Sequence, residues 1–93
     1  MTLGYDRDAL AMYFLNCGAY ELAETQLRRA IWLNPYEPHF TAHLAWCLYK
    51  LNRHDDSLAV LNQVTLEAMD DEMASIDRLI RRGAAKRKKG PGE

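Results

Sequence analysis

Apolar residues recur at three- and four-residue intervals over most of this chain, and polar or proline-containing breaks divide them into helix-sized blocks. The pattern predicts a first helix from about Asp6 to Asn16, with Asp6 or Asp8 near its positive N-terminal end, and a turn at Gly18. A second helix follows from about Tyr20 to Leu33, with Leu22, Ala23, Leu27, Ala30 and Ile31 as its inward stripe. Asn34-Pro35-Tyr36-Glu37-Pro38 ends it, because proline lacks an amide proton and clashes within a helix. Pro38 suits the first turn of a third helix, where that proton has no intrahelical partner, and the helix runs to about Leu51. Asn52 tolerates a left-handed backbone and takes the role of Gly18. Asp55 or Asp56 opens a fourth helix carrying Leu58, Leu61 and Val64. Asp70-Asp71 open a fifth, with Met73, Ile76, Leu79 and Ile80 on one side and Asp77, Arg78 and Arg81 away from it. From Gly83 onward Ala, Lys, Arg, Gly and Pro dominate, the composition of a disordered tail.

The first four helices repeat at an offset of 34 residues. Leu10-Ala11 and Phe14 recur as Leu44-Ala45 and Leu48; Ala23, Leu27 and Ala30 recur as Ser57, Leu61 and Val64. Gly18-Ala19-Tyr20 becomes Asn52-Arg53-His54, and Met69 stands where Pro35 would recur. Each unit is an amphipathic hairpin unable to bury its own apolar face, so the units must stack. The expected fold is all-α, a short α-solenoid of two antiparallel helical hairpins with a fifth, capping helix. The expected domain spans residues 1–82, with repeats at about 4–37 and 38–71 and the cap at about 72–82, before a disordered basic tail at 83–93.

The pattern resembles the tetratricopeptide repeat. Leu10-Ala11 and Leu44-Ala45 match the large-small pair in the middle of the first helix, and Phe14 and Leu48 match the large residue three places on. Gly18-Ala19-Tyr20 matches the turn, Ala23 and Ser57 the small residues at the helix crossing, and Ala30-Ile31-Trp32-Leu33-Asn34-Pro35 the ending. Arg7 and Thr41 replace the family's early aromatic. Two repeats also fall below the usual minimum of about three, which calls for a partner or a second copy over one end.

The resemblance implies that the first helix of each repeat lines a concave groove. By position, that groove draws on Tyr5, Asp8, Met12 and Leu15, then on His39, His43, Trp46, Tyr49 and Lys50. The Lys, Asn and Arg clamp with which some members hold a terminal carboxylate is essentially absent, with Asn16 and Lys50 alone matching in kind. Aromatic and apolar residues replace it, which suits a hydrophobic or helical segment of a partner protein, bound as by an adaptor or assembly chaperone. Met12, Trp46 and Tyr49 are the expected anchors. The competing expectation is that Trp46 and Tyr49 pack beneath the fifth helix. Trp32 and Tyr36 are expected to pack on the Pro35–Pro38 loop rather than form a convex patch. An alternative function is a structural subunit or homodimer whose apolar surface stacks permanently in a larger complex.

Composition narrows the remaining classes. No apolar run approaches the roughly 20 residues needed to span a bilayer, and the N-terminus lacks the basic and apolar regions of a signal peptide, so a cytoplasmic location is expected. Cys17 and Cys47 are expected as free thiols that behave as small hydrophobes. His39, His43 and Cys47 share one helix face, yet span about 12 Å at 1.5 Å per residue, too far to meet on one ion. A His39–His43 pair could hold a metal only with help from elsewhere, so ordinary hydrogen bonds are expected of both and no metal or cofactor is; with no phosphate loop, His-Glu-x-x-His or nucleophile elbow, no enzymatic activity is expected either. Residues 1–80 sum to a charge of −6 and residues 81–93 to +5. The basic run Arg81, Arg82, Lys86, Arg87, Lys88 and Lys89 lacks interleaved aromatics, and the acidic body opposes a nucleic-acid or membrane role.

Overall fold

The computed structural model describes residues 3–89, with side chains through Lys86. Helices α1 (Tyr5–Asn16), α2 (Tyr20–Leu33), α3 (Pro38–Lys50), α4 (His54–Leu61) and α5 (Asp71–Lys89) are joined by short turns, with a single 3₁₀ turn at Leu66–Ala68. The described residues form an all-α helical repeat.

The two hairpin turns are built identically. Gly18 (φ 78°) and Asn52 (φ 63°) both adopt the left-handed backbone. In the first turn the Gly18 amide donates to the Leu15 carbonyl (3.2 Å) and the Ala19 amide to that of Phe14 (2.8 Å). In the second, Asn52 donates to Tyr49 (3.0 Å) and Arg53 to Leu48 (2.9 Å). This paired pattern is a Schellman ending, which satisfies carbonyls that the last helical turn leaves unpaired. Between the hairpins, Pro38 occupies the start of α3, where Glu37 caps the helix by accepting from the His39 amide (3.0 Å).

Repeat-related residues build the core. Ala11, Ala23, Leu27, Leu44, Cys47 and Leu48 bury one another between the hairpins. Ser57, the mate of Ala23, is fully buried and donates from Oγ to the Ala45 carbonyl (2.6 Å), which lets α4 cross α3 closely without stranding a polar atom. Of the two cysteines, Cys47 fills the core as expected and its Sγ donates to the Tyr20 carbonyl (3.1 Å). Burial pushes its thiol up to about 11. Cys17 is instead exposed, in the turn after α1. A thiol reagent such as dithionitrobenzoate is expected to label one cysteine rapidly in the native protein and both after unfolding, since only exposed thiols with accessible thiolate react. Two fast thiols in the native state would contradict the packing at Cys47.

The second repeat departs from the first beyond α4. That helix ends at Leu61, so Val64 lies beyond it, in a separate apolar cluster with Ala42, Met73 and Met69. Asp70 then opens α5 as expected, accepting from the Met73 amide (2.9 Å).

Helix α5 runs to Lys89, past the expected limit of residue 82, so Lys86, Arg87, Lys88 and Lys89 continue the helix that holds Arg81 and Arg82 rather than forming part of a disordered tail. Packing is the physical reason. Ala84 is buried, and Gly83 lies against the Tyr49 ring so closely that a Cβ would overlap it. Glycine here serves close approach, not chain breaking. The basic residues also oppose the negative C-terminal end of the helix. The remainder of the expected tail, residues 90–93, lies outside the described residues. Within α5, Met73, Ile76 and Ile80 face inward, but Leu79 is exposed. Asp77 and Arg81 pair with each other (2.9 Å), and Arg81 reaches Asn62 on the α4 side (2.9 Å).

Candidate partner-binding groove

Helices α1, α3 and α5 run side by side in parallel, and a constant register relates the first two. The Tyr5 ring meets Phe40 edge-on (centroids 5.0 Å), and Asp8 meets His43 (2.7 Å), both at a separation of 35 residues. Asp8, Met12 and Leu15 share one face of α1 at i, i+4 and i+7, and His39, His43, Trp46 and Lys50 share one face of α3 in the same way. The register therefore places Met12 level with Trp46 and Cys47.

Seven of the nine expected groove residues fall into three sets. Asp8, His43 and Glu72 form a continuous line across α1, α3 and α5: the two ring nitrogens of His43 lie 2.7 Å from Asp8 Oδ1 and 2.8 Å from Glu72 Oε1. Tyr5 and His39 lie at the N-terminal edge of this line, joined through Glu37. The Tyr5 hydroxyl donates to Glu37, whose other oxygen lies 2.9 Å from His39 Nδ1, while His39 Nε2 reaches Asp70 (2.6 Å). Trp46, Tyr49 and Lys50 lie toward the other end. The Trp46 and Tyr49 rings stack (5.4 Å, 21° between planes), Lys50 Nζ sits 4.9 Å above Trp46, and His54 meets Tyr49 edge-on at 5.0 Å.

Both aromatic rings are half-buried against Ala45, Leu61, Ile76 and Ile80, so α5 covers part of the surface expected to be open. Tyr49 is the more confined, held between Trp46, His54 and Gly83. Leu15 is likewise half-buried against the central core. Met12 is half-exposed and outside all three apolar clusters. Met12 and Trp46 therefore keep part of their apolar surface open to solvent on this face.

The histidines carry the site's electrostatics. Hydrogen bonds to Glu37, then to Asp70, hold His39 above the ordinary imidazole value. Burial lowers His43, but hydrogen bonds and charge from Asp8 and Glu72 outweigh it and leave this group raised as well. Burial raises Glu37, but bonds from Tyr5 and His39 leave it lowered overall; the Met73 amide and then His39 lower Asp70. His39, His43 and Cys47 do not converge, since both imidazoles turn to carboxylates and the thiol turns to Tyr20.

Sequence reasoning missed Glu72 and Asp70 as histidine partners and Phe40 as a wholly buried ring. Trp32 and Tyr36 do not pack on the Pro35–Pro38 loop as expected: they are 82% and 90% exposed. Trp32 borders a shallow hollow of about 520 Å³ with Thr25, Arg28 and Arg29 on the outer side of α2.

Stacked α-hairpins with a capping helix define a helical-repeat protein. Residues 17–79 match the sequence profile of the tetratricopeptide repeat, and the chain belongs to that family. Tetratricopeptide repeats generally mediate protein–protein interactions. Neither a curated protein nor a solved structure matches the chain.

Proposed function

We propose that this chain is a non-enzymatic interaction module, an adaptor or assembly chaperone, that receives a hydrophobic or helical segment of a partner protein across α1, α3 and α5. The observation that carries this reading is the face shared by Met12, Trp46 and Lys50. There an unclustered methionine and a half-exposed tryptophan stand on rigid helices, level with one another across the α1–α3 register. Aromatic anchors of this kind dominate binding energy at protein interfaces. The partner chemistry is apolar, with Lys50 and the exposed Arg82 and Lys86 available to acidic flanks of the segment. No helix among the described residues is long and apolar enough to cross a membrane. We place the module in the cytoplasm and assign no nucleic-acid or lipid role to the basic end of α5.

Titration calorimetry against the partner segment tests the reading. Met12→Glu and Trp46→Ala are expected to weaken binding by about 30-fold or more, as loss of a hot-spot anchor does, with unchanged helical circular dichroism. Trp32→Ala is expected to leave affinity within about twofold, as contacts outside an interface do. Equal affinities for all three variants would remove the groove from the account.

One observation favours a second reading, permanent stacking as a homodimer or subunit. Leu10 (39% exposed) and Tyr13 (62%) are the repeat-mates of Leu44 and Cys47, which α2 covers in the second repeat. This end of α1 is thus an open stacking face. A molar mass by light scattering that rises with concentration to twice the chain mass, and returns to the chain mass in Tyr13→Glu, would establish this reading over the first.

A further inference from the structure

His39 and His43 each sit between two carboxylates drawn from different parts of the chain. His43 faces Asp8 on α1 and Glu72 on α5, and its own-helix neighbour His39 lies 6.3 Å away between ring centroids. His39 faces Glu37 in the α2–α3 loop and Asp70 immediately before α5. Among the described residues, none of these four carboxylates has a lysine or arginine partner. A neutral imidazole has one N–H and one bare nitrogen, so only the imidazolium can donate to carboxylates on both sides. Carboxyl groups hold protons about two units less tightly than imidazole, so the proton shared in these contacts belongs to the ring.

We propose that His39 and His43 form a proton-operated latch that fastens the start of α5 to α3 and α1, closed when both rings are imidazolium and open when they lose a proton. An open latch sets a carboxylate against a bare ring nitrogen at each histidine. Whichever nitrogen keeps the proton, neither ring can any longer bridge both of its carboxylates, so the links that tie Asp70 and Glu72, at the start of α5, through α3 to Glu37 and Asp8 are each broken on one side. Met73 follows immediately and seals Ala42 and Val64, so opening unseals that small cluster while the central core between the hairpins is untouched.

Both histidines are raised from the ordinary value of 6.5, so their stabilisation is complete below pH 6.5 and is lost as pH rises through the folded values. Glu37 and Asp70 are lowered from 4.5 and 3.8, so their contribution is present above those values and is lost as pH falls through the folded ones. The latch is therefore tightest in mildly acidic solution. His43 carries more of it than His39, because its ring and Asp8 are shielded from water whereas the His39–Asp70 pair is half open to it.

Amide hydrogen exchange on the full chain at about pH 6 and about pH 8.5, on either side of the imidazole range and corrected for intrinsic exchange, tests the proposal. Protection of the first two turns of α5 is expected to fall about tenfold at the higher pH, one pKa unit's worth of lost interaction, while α2 changes less than about twofold. Glu72→Gln, at a largely exposed side chain that the fold does not need, is expected to flatten this dependence and to lower the His43 ring titration measured by NMR. His43→Gln is expected to remove most of it, leaving the smaller share carried by His39. Equal protection at the two pH values would overturn the latch, as would an equal loss in α2 and α5, or His43 titrating at or below 6.5 in the unaltered chain.

Discussion

Phe40→Ala is expected to cost about 3–5 kcal/mol, the range for emptying a buried phenylalanine site, and to leave the domain close to its unfolding limit. Phe40 is wholly buried in the first turn of α3, under the Tyr5 ring and against Gly4. It joins the start of α1 to α3 where few other contacts do so. Total stability of a domain this size is about 5–15 kcal/mol, and small domains sit toward the lower end because they bury less of their surface. Urea unfolding followed by circular dichroism should show a midpoint lowered by about 2 M or more, given a slope of about 1–1.5 kcal/mol per molar for a small domain. Phe40→Leu should recover more than half of the loss, since leucine refills most of the cavity. An alanine variant within about 1 kcal/mol of the parent, below the range for a fully buried ring, would mean the site collapses or is open to water.

Gly4→Ala is the second large effect, and its sign opposes the usual benefit of replacing glycine. Gly4 caps α1 with φ at 85°, a left-handed conformation that costs a residue with a Cβ about 1–2 kcal/mol. A Cβ there would also lie 2.7 Å from Phe40 Cε2 and 2.9 Å from the Ala30 carbonyl oxygen. The backbone at Ala30 cannot swing aside as a side chain can, so overpacking adds about 1–3 kcal/mol. Gly18→Ala provides the internal comparison, because Gly18 has the same backbone sign (φ 78°) with nothing within 4 Å of its would-be Cβ. Thermal unfolding should place Gly18→Ala modestly below the parent and Gly4→Ala well below both. Equal losses in the two variants would show that the start of α1 is not held against α2 and α3 as described.

The first four helices were legible because their signals are local. Hydrophobic period, Pro35 and Pro38, and the left-handed positions Gly18 and Asn52 each act within a turn or two of the chain. The length of α5 was not legible. Gly83 reads locally as a breaker, and the ring that makes it a packing position, Tyr49, is 34 residues away in sequence. Leu79 failed for a related reason: periodicity identifies an apolar stripe but not how far around the helix its neighbours reach. The groove positions followed from the repeat register, whereas the coverage of Trp46 and Tyr49 depends on the angle of α5, which no local pattern encodes. The carboxylates around His39 and His43 come from α1, two loops and α5, so their convergence exists only in the folded chain. Phe40 lies outside the repeat positions that define the family pattern, which is why its burial passed unnoticed.

The central claim, that the face of α1, α3 and α5 receives a partner segment, is tested most directly by site-specific photo-cross-linking in cells. A photoreactive phenylalanine analogue is placed in turn at position 12 in the groove, at position 13 on the open stacking face and at position 32 on the outer side of α2. The account predicts adducts of one discrete added mass from position 12, little from position 32, and loss of the position-12 adduct when Trp46→Ala is combined with it. Adducts from positions 13 or 32 with none from position 12 would contradict the claim. So would a position-12 adduct that proves to be a second copy of this chain.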